Sequence, residues 1–257
     1  MTLRILNESL AISRRILIEL SRTRRSLIFW AIFPTLMLLL FGTMYAAGKQ
    51  PGVSFDHTAP GILIGAALFF SCLGGTVSTI AAERERRTLR RLLLSPLAPA
   101  SYFLGIVAAY LGIALAQTLI VYGTALAFGG RFHGNWLLGL AIIGLSVCAY
   151  VGLGFFFGAR FARRTEDVNG PIAGFGVPLL VLGGTFFPIA MLPPKLLLLA
   201  QADPVFHMNQ ALKAVWAEGK TLADVLPDVA FLCGFAVLAL WLGIRSYRSM
   251  LIQEKSA

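Results

Sequence analysis

Long apolar stretches, separated by short polar and mostly basic segments, constrain this chain more than any other feature of its sequence. Several of them exceed the roughly 18 apolar residues that mark a membrane helix. Charged residues make up only 13% of the chain, whereas about 25% is usual for a soluble domain. The sequence therefore predicts an all-α integral membrane protein with six transmembrane helices. These helices are expected at residues 27–47, 60–82, 102–128, 136–159, 171–187 and 229–244.

The segments outside these helices predict further elements of a single transmembrane domain that covers the whole chain. Residues 1–26 combine leucines at helical spacing with six arginines, which predicts an amphipathic helix at the membrane interface. Residues 48–59 are polar and predict a short loop. Residues 188–228 hold several prolines and a leucine-rich stretch too short to cross a membrane. We expect this outer region to dip back into the membrane, because such a stretch must be buried somewhere.

The distribution of basic residues predicts the orientation of the chain. Of the 22 Lys and Arg residues, 17 lie in the two terminal segments and in the segments after the second and fourth predicted spans. Cytoplasmic segments of membrane proteins carry such an excess of Lys and Arg. Both termini are therefore predicted to be cytoplasmic, in a multi-pass protein of the inner (plasma) membrane. The net charge of +10 has the same explanation, so no nucleic-acid partner is expected.

The basic segment at residues 83–96, between the second and third predicted spans, has one charged and one apolar face. Its leucines fall at helical spacing among five arginines. Ser95 and Pro96 end the predicted helix, because proline lacks an amide donor. A helix this short cannot span the membrane. It is expected to bind a groove on a soluble partner, to contact anionic membrane lipid, or to do both.

Residues with catalytic or ligand-binding chemistry are scattered along the sequence. The three histidines lie in three separate segments, so neither a metal site nor a proton relay is predicted. Gly219, Lys220 and Thr221 resemble the end of a phosphate-binding loop, but Ala214 stands where that loop has its first glycine. We therefore expect no enzyme activity, no cofactor and no nucleotide site in this chain.

Two motif regions together resemble the membrane subunit of ABC-2 type exporters. The first is E-R-E-R-R-T-L at residues 83–89, followed by L-L-S-P at residues 93–96. The second is G-G-T-F-F-P at residues 183–188, followed by D-P-V-F-H at residues 203–207. The resemblance covers essentially the whole chain. It departs from the usual pattern at Arg87, Ile106 and Asp203, where glycine, lysine and asparagine are commoner.

The resemblance implies a permease that works with other subunits. It would pair with a second copy of itself or a related permease, and it would bind a cytosolic ATP-binding cassette subunit that holds ATP and Mg²⁺. Residues 83–96 resemble the coupling helix that contacts this ATPase, and residues 163–167 offer a second contact. The predicted contact residues are Glu83, Arg84, Glu85, Arg86, Arg87, Thr88, Leu89, Arg90, Leu92, Leu93, Ser95, Pro96, Arg163, Arg164, Glu166 and Asp167.

A hydrophobic or amphipathic substrate, such as a drug or a lipid, is expected, because no ionisable residue lies deep inside a predicted span. Export of a polysaccharide or lipid-linked glycan, and an ATP-independent channel or facilitator, stay open as alternatives. Aromatic side chains are candidates for the substrate path or its gate, although core packing or lipid contact explains each of them equally well. These candidates are Phe69, Phe70, Phe175, Phe186 and Phe187.

Overall fold

The computed structural model of the chain describes residues 2–46, 51–86, 88, 98–162 and 164–256. The described residues form helices, turns and short links, without a strand. A π-helical segment (Ile62–Gly74) joins the third helix to the fourth, and a 3-10 turn (Ile189–Met191) precedes the eighth. The α-helices are α1 (Thr2–Arg22), α2 (Arg25–Tyr45), α3 (Pro51–Gly61), α4 (Gly75–Glu85), α5 (Pro99–Ala127), α6 (Trp136–Arg160), α7 (Glu166–Leu182), α8 (Pro194–Ala200), α9 (Pro204–Trp216) and α10 (Leu222–Ser256).

The predicted class, an all-helical protein with membrane-length helices, is confirmed. Five helices of the described chain are long and apolar enough to cross a membrane. They cover Arg25–Tyr45, Gly52–Glu85, Ala100–Ala127, Trp136–Arg160 and Leu222–Ile252. The apolar part of α7, Ile172–Leu182, is shorter. A sixth crossing at residues 171–187 therefore stays a prediction.

Two helices begin earlier than the sequence predicts. Residues 51–59 belong to α3 rather than to a polar loop, because Phe55 is buried and Asp56 accepts a hydrogen bond from the Arg131 amide at 2.5 Å. The last helix begins at Leu222 rather than near residue 229. It contains Asp224, whose carboxylate accepts hydrogen bonds from the Thr221 amide and hydroxyl at 2.9 and 2.8 Å. Asp56 thus has a partner from a distant segment, whereas Asp224 and Thr221 form a local contact at the start of the last helix.

The π-helical segment forms the centre of the bundle. It packs against α2, α5 and α6, and Leu63 and Leu68 on it are completely buried. π-Helical geometry is rare and is often found near functional sites. Around this centre, α10 packs along α6, and Gly152 and Gly243 let the two helices approach closely. Small residues at a crossing are the usual means of close packing between membrane helices.

The end of the bundle that holds α1 and the end of α4 is rich in arginine, and we call it the basic end. Here α1 lies against the beginning of α5, with Ile12 and Ile16 buried. The predicted apolar stripe of α1 is largely on its other side, where Leu3, Leu6 and Leu10 are exposed. That arrangement suits the predicted interfacial helix, whose contact with lipid stays a prediction.

The opposite end of the bundle is built from residues 51–58, 128–135 and 183–221, and we call it the loop end. The His133 amide donates a hydrogen bond to the Trp216 carbonyl at 3.0 Å, which joins two of these segments. The turn after α7 depends on Gly184, whose φ of +72° is unfavourable for residues with a Cβ. The predicted outer region at residues 188–228 therefore contains α8, α9 and the start of α10.

Candidate functional site

A polar network at the basic end is centred on residues 83–86, at the C-terminal end of α4. Acidic and basic residues alternate in this stretch. Successive residues of an α-helix point about 100° apart around its axis, so adjacent side chains reach different neighbours. The four side chains contact α1, α5, the end of α6 and the residue before α7. A short polar stretch thus connects four separate parts of the bundle.

Glu83 is the buried member of the network, with 5% of its surface exposed. One carboxylate oxygen pairs with the Arg15 guanidinium of α1, and the other accepts a hydrogen bond from the Tyr102 hydroxyl of α5. The Tyr102 ring stacks on Tyr247 of α10, with ring centroids 5.3 Å apart. Burial of a carboxylate is tolerated because both oxygens have partners. The sequence predicts that Glu83 contacts the ATPase, but the structure encloses its carboxylate within this chain.

Arg84 and Glu85 hold the two sides of the connection between α6 and α7. Arg84 donates hydrogen bonds to the carbonyl oxygens of Ala162 at 2.9 Å and Ala159 at 3.3 Å. A cation is favourable there, because the last carbonyls of a helix lack partners within it. Glu85 accepts hydrogen bonds from the Thr165 hydroxyl at 2.9 Å and amide at 3.2 Å, directly before α7. The end of α4 is therefore fixed to two further helices.

The outermost described residues of the predicted coupling helix are exposed or half-buried. Arg86 pairs with Glu19 of α1, and both side chains are exposed to solvent, so the pair contributes little to stability. Thr88 is half-buried. The contact of the whole predicted set with an ATPase stays a prediction. Eight members of that set lie outside the described residues, namely Arg87, Leu89, Arg90, Leu92, Leu93, Ser95, Pro96 and Arg163.

The predicted second contact, at residues 163–167, lies at the start of α7 on the same end of the bundle. The Arg164 amide donates a hydrogen bond to Asp167 at 2.9 Å, and both residues are exposed. Arg163 and the side chain of Glu166 lie outside the described part of the chain. The connection to Glu85 through Thr165 joins this segment to the residue 83–86 network. A partner that touched one of them would therefore act on both.

Glu8 of α1 belongs to the same end of the bundle, and sequence reasoning did not identify it. It accepts hydrogen bonds from the Ser101 hydroxyl at 2.6 Å, the Ala98 amide at 3.2 Å and Arg4 at 2.7 Å. These hydrogen bonds, that of Ser101 above all, lower the pKa of Glu8 to about 2. A negative charge is favourable at the start of α5, where the first amides lack partners. Glu8 and Ser101 are 93 residues apart, so no local pattern reveals the contact.

The five predicted aromatic residues do not form one continuous path. Phe69 and Phe70 lie beside each other in the buried π-helical segment, with ring centroids 5.4 Å apart. Phe175 is 79% exposed on α7. Phe186 and Phe187 lie in the turn after α7, where both pack against the end of α2 and line a cavity. This last pair borders a space that could hold a ligand.

The cavity at the loop end has a volume of about 630 Å³ and lies between the end of α2, α3, the turn after α7, and α9. His57, Asn209 and Lys213 are among its polar lining residues. The sequence analysis missed it, because its walls come from four distant segments. In the described part of the chain, no group of three His, Cys, Asp or Glu residues is arranged to hold a metal ion.

These features define a multi-pass membrane protein: helices long enough to cross a bilayer, charged contacts at one end and a ligand-sized cavity at the other. The family model described as "ABC-2 family transporter protein" matches residues 43–245, which is most of the chain. The chain belongs to this family and is an ABC-2 type permease. Such permeases are the membrane component of ABC transporters and associate with an ABC ATP-binding subunit.

Two relatives, both from Escherichia coli (strain K12), illustrate the extent of the similarity. The "Probable multidrug ABC transporter permease YbhR" is 28% identical over 151 residues, which are 57% of this chain and 40% of that protein. The "Inner membrane transport permease YadH" is 22% identical over 177 residues, which are 68% of each chain. This chain thus spans less than half the length of YbhR in the region where the two match.

Proposed function

We propose that this chain is the permease subunit of an ATP-driven exporter in the inner membrane, with both termini in the cytoplasm. A separate cytosolic subunit binds and hydrolyses ATP, with Mg²⁺, and this chain has no nucleotide site. A second copy of the chain, or a related permease, completes the membrane part. The exported substrate is hydrophobic or amphipathic.

The main support for this proposal is the network at residues 83–86. These side chains contact α1, α5, the end of α6 and Thr165 before α7. A force applied to the neighbouring segment at residues 87–96 would therefore reach several helices at once. A permease driven by an external ATPase requires such a connection, because closure of the ATPase must change how its helices pack.

The proposed substrate class is supported by the apolar interior and by a relative. The π-helical centre of the bundle is lined by apolar and small residues and is almost completely buried. YbhR, which matches more than half of this chain, is named as a multidrug permease. An interior without fixed charge suits an apolar or amphipathic substrate better than an ionic one, because an unpaired charge is costly to bury.

Co-purification from the native membrane tests the proposed partnership. We expect an ATP-binding cassette protein to accompany the wild-type chain and to be lost from the variant Leu89→Asp/Leu92→Asp, because carboxylates cannot enter an apolar groove unpaired. A suitable control is Leu222→Asp, which adds a carboxylate at the exposed start of α10 on the opposite end. The control should retain the ATPase.

Gel filtration of all three proteins distinguishes loss of the partner from loss of folding. Absence of an ATPase from the wild-type preparation, together with substrate flux into liposomes without ATP, would instead favour the channel or facilitator. Transport assays with a glycan substrate would separate the polysaccharide exporter from the proposed one.

A further inference from the structure

We propose that the cavity at the loop end binds an amphiphile whose polar end carries an acidic group next to a hydrogen-bond donor. The proposal rests on the proposed function, because it names the chemical class of the cargo more closely. The evidence is the apolar wall of the cavity, its positively charged side and a buried amide oxygen that lacks a partner.

The size and one wall of the cavity suit an apolar chain. A volume of about 630 Å³ lies in the range of small-molecule sites. One wall is formed by Phe186, Phe187, Ile189 and Met191. The Tyr45 hydroxyl donates a hydrogen bond to the Phe186 carbonyl at 2.8 Å, which fixes this wall to the end of α2. An acyl or alkyl chain would be removed from water here, and that is the main favourable term for an apolar ligand.

The polar side of the cavity is positively charged. Lys213 and His57 line it, and no Asp or Glu is found among the described lining residues. The hydrogen bond from Lys220 is the main cause that lowers the pKa of the nearby Glu218 carboxyl, and Lys213 and His57 contribute less. The ion pair of Glu218 is formed with Lys220 at 2.8 Å. The charge of Lys213 therefore favours an anionic group in the cavity.

Asn209 adds a requirement for a hydrogen-bond donor. It lines the cavity, is 4% exposed, and its amide nitrogen donates to the Gly183 carbonyl at 2.7 Å. Turning the amide over would place its oxygen against that carbonyl, so the orientation is fixed. Its Oδ1 has no partner among the described residues, although buried polar atoms normally have one. This oxygen has less than 1 Å² of accessible surface, so a ligand hydroxyl or N–H would satisfy it once the side chains that cover it move aside.

This chemistry is found both in membrane phospholipids and in exported acidic amphiphiles. The decisive experiment compares two probes that differ in the acidic group alone. Oleoyl lysophosphatidic acid has an acyl chain, a phosphate and a hydroxyl, and monooleoylglycerol has the same chain and hydroxyls without the phosphate. Binding of each to the purified full-length chain in an uncharged detergent is measured by titration calorimetry.

We expect lysophosphatidic acid to bind at least about tenfold more tightly than monooleoylglycerol, as a charge-assisted contact implies. Lys213→Gln should weaken binding of the phosphate probe by about tenfold and leave the neutral probe unchanged. Asn209→Leu should weaken both probes. The matched control Lys195→Gln removes a lysine of α8 that does not line the cavity, and it should bind like the wild type.

Equal affinity for the two probes, or a Lys213→Gln variant that binds phosphate as tightly as the wild type, would overturn the proposal. Thermal unfolding confirms that each variant is folded, and Lys213→Met replaces Lys213→Gln if the latter is not. Competition by phosphatidylglycerol would identify a membrane lipid as the occupant. Absence of that competition would identify an exported amphiphile. Because the assay contains no ATPase, failure of binding would not count against the ATPase partnership. Loss of the ATPase in the co-purification would likewise not count against ligand binding in the cavity.

Discussion

Glu83 lies inside the bundle because two other helices supply its partners. Arg15 provides a positive charge and Tyr102 a hydroxyl, so neither carboxylate oxygen is left without a hydrogen bond. Removing one member of a buried group of this kind leaves the others unsatisfied, and that costs more than the group contributes when complete. The side chain therefore determines how α1 and α5 are held against α4.

We predict that Glu83→Gln lowers the free energy of unfolding by about 1–3 kcal/mol, because Arg15 loses its counter-charge in a largely buried position. The midpoint of thermal unfolding in detergent measures the effect. Glu19→Gln is the matched control, since its ion pair with Arg86 is mostly exposed and should be worth less than about 1 kcal/mol. Equal effects of the two variants would contradict the importance of burial.

Asp203 is a second buried carboxylate, but one of its oxygens is unpaired. Oδ1 accepts a hydrogen bond from the Val205 amide at 2.9 Å at the start of α9, whereas Oδ2 has no partner among the described residues. Burial raises the pKa of this carboxyl from 3.8 to about 6, and the Val205 hydrogen bond and the charge of His207 offset only part of the effect. The folded protein thus binds the proton more tightly than the unfolded chain does.

We predict that Asp203→Asn stabilises the protein at neutral pH, because asparagine caps a helix equally well and does not ionise. The wild type loses stability as pH rises from the unfolded pKa of 3.8 to the folded pKa of about 6. The advantage of the variant should therefore grow over that interval, reach about 1–3 kcal/mol, and stay constant above it. Thermal unfolding between pH 4 and pH 8 tests this, and a pH-independent difference would refute it.

Which residues of the candidate sites the sequence could identify depended on where their partners lie along the chain. Residues 83–86 were identified because alternating charges between two apolar stretches form a local pattern. Glu8 and Asn209 were not, since Ser101 and Gly183 are 93 and 26 residues away from them. The sequence also predicts an external role for Glu83, because an arginine-rich segment gives no sign that one of its acids is buried.

Helices α6 and α10 approach closely at one glycine on each helix, Gly152 and Gly243. A Cβ on Gly152 would lie 2.7 Å from backbone atoms of Ala239 and Leu240, and one on Gly243 would lie 2.6 Å from the Gly152 carbonyl oxygen. Backbone atoms cannot turn aside as a side chain does. The two helices can therefore keep their present distance only while both positions remain glycine.

We predict that Gly152→Ala destabilises the protein by about 1–3 kcal/mol, because α6 and α10 must separate to admit the methyl group. Gly144→Ala, on the same helix, is the control. A Cβ at Gly144 would have no neighbour within 4 Å, so this change should be neutral or stabilise by up to about 1 kcal/mol. Both are measured by thermal unfolding. A similar loss in both variants would mean that helix contact is not the cause.

The long apolar helices could be predicted from the sequence, but their polar ends could not. Hydropathy alone identifies the regions of α2, α5 and α6, whose interiors lack charges. The earlier start of α3 involves Asp56, whose partner Arg131 is 75 residues away. The earlier start of α10 involves a local contact between Thr221 and Asp224, which our sequence analysis did not use. The shorter α7 falls below the length at which composition decides whether a helix crosses the membrane.

The bundle as a whole has a basic end and a loop end. Arg4, Arg14, Arg22 and Arg84 lie at the former, together with the contacts between α1, α4 and α5. The cavity and the short turn between α5 and α6 lie at the latter. Positive charge on one side is the usual determinant of orientation in the membrane, so we expect the basic end to face the cytoplasm.

We predict that a membrane-impermeant maleimide labels Arg131→Cys, and not Arg14→Cys, in cells whose inner membrane is intact. The first residue is exposed at the loop end and the second at the basic end. Both variants are made in a chain whose native cysteines are replaced by alanine, since Cys233 is exposed. Disruption of the membrane should make both reactive. Labelling in the opposite order would invert the proposed topology.

The contacts of α1 also dictate when this helix can reach its final place as the ribosome makes the chain. Arg15 pairs with a residue 68 positions later, and Glu8 with one 93 positions later. Helix α1 is therefore synthesised first but must wait for two membrane helices before it can dock. Its exposed leucines, Leu3, Leu6 and Leu10, give it a way to rest on the lipid surface during that interval. We therefore expect the amphipathic pattern to serve biogenesis as well as the finished structure.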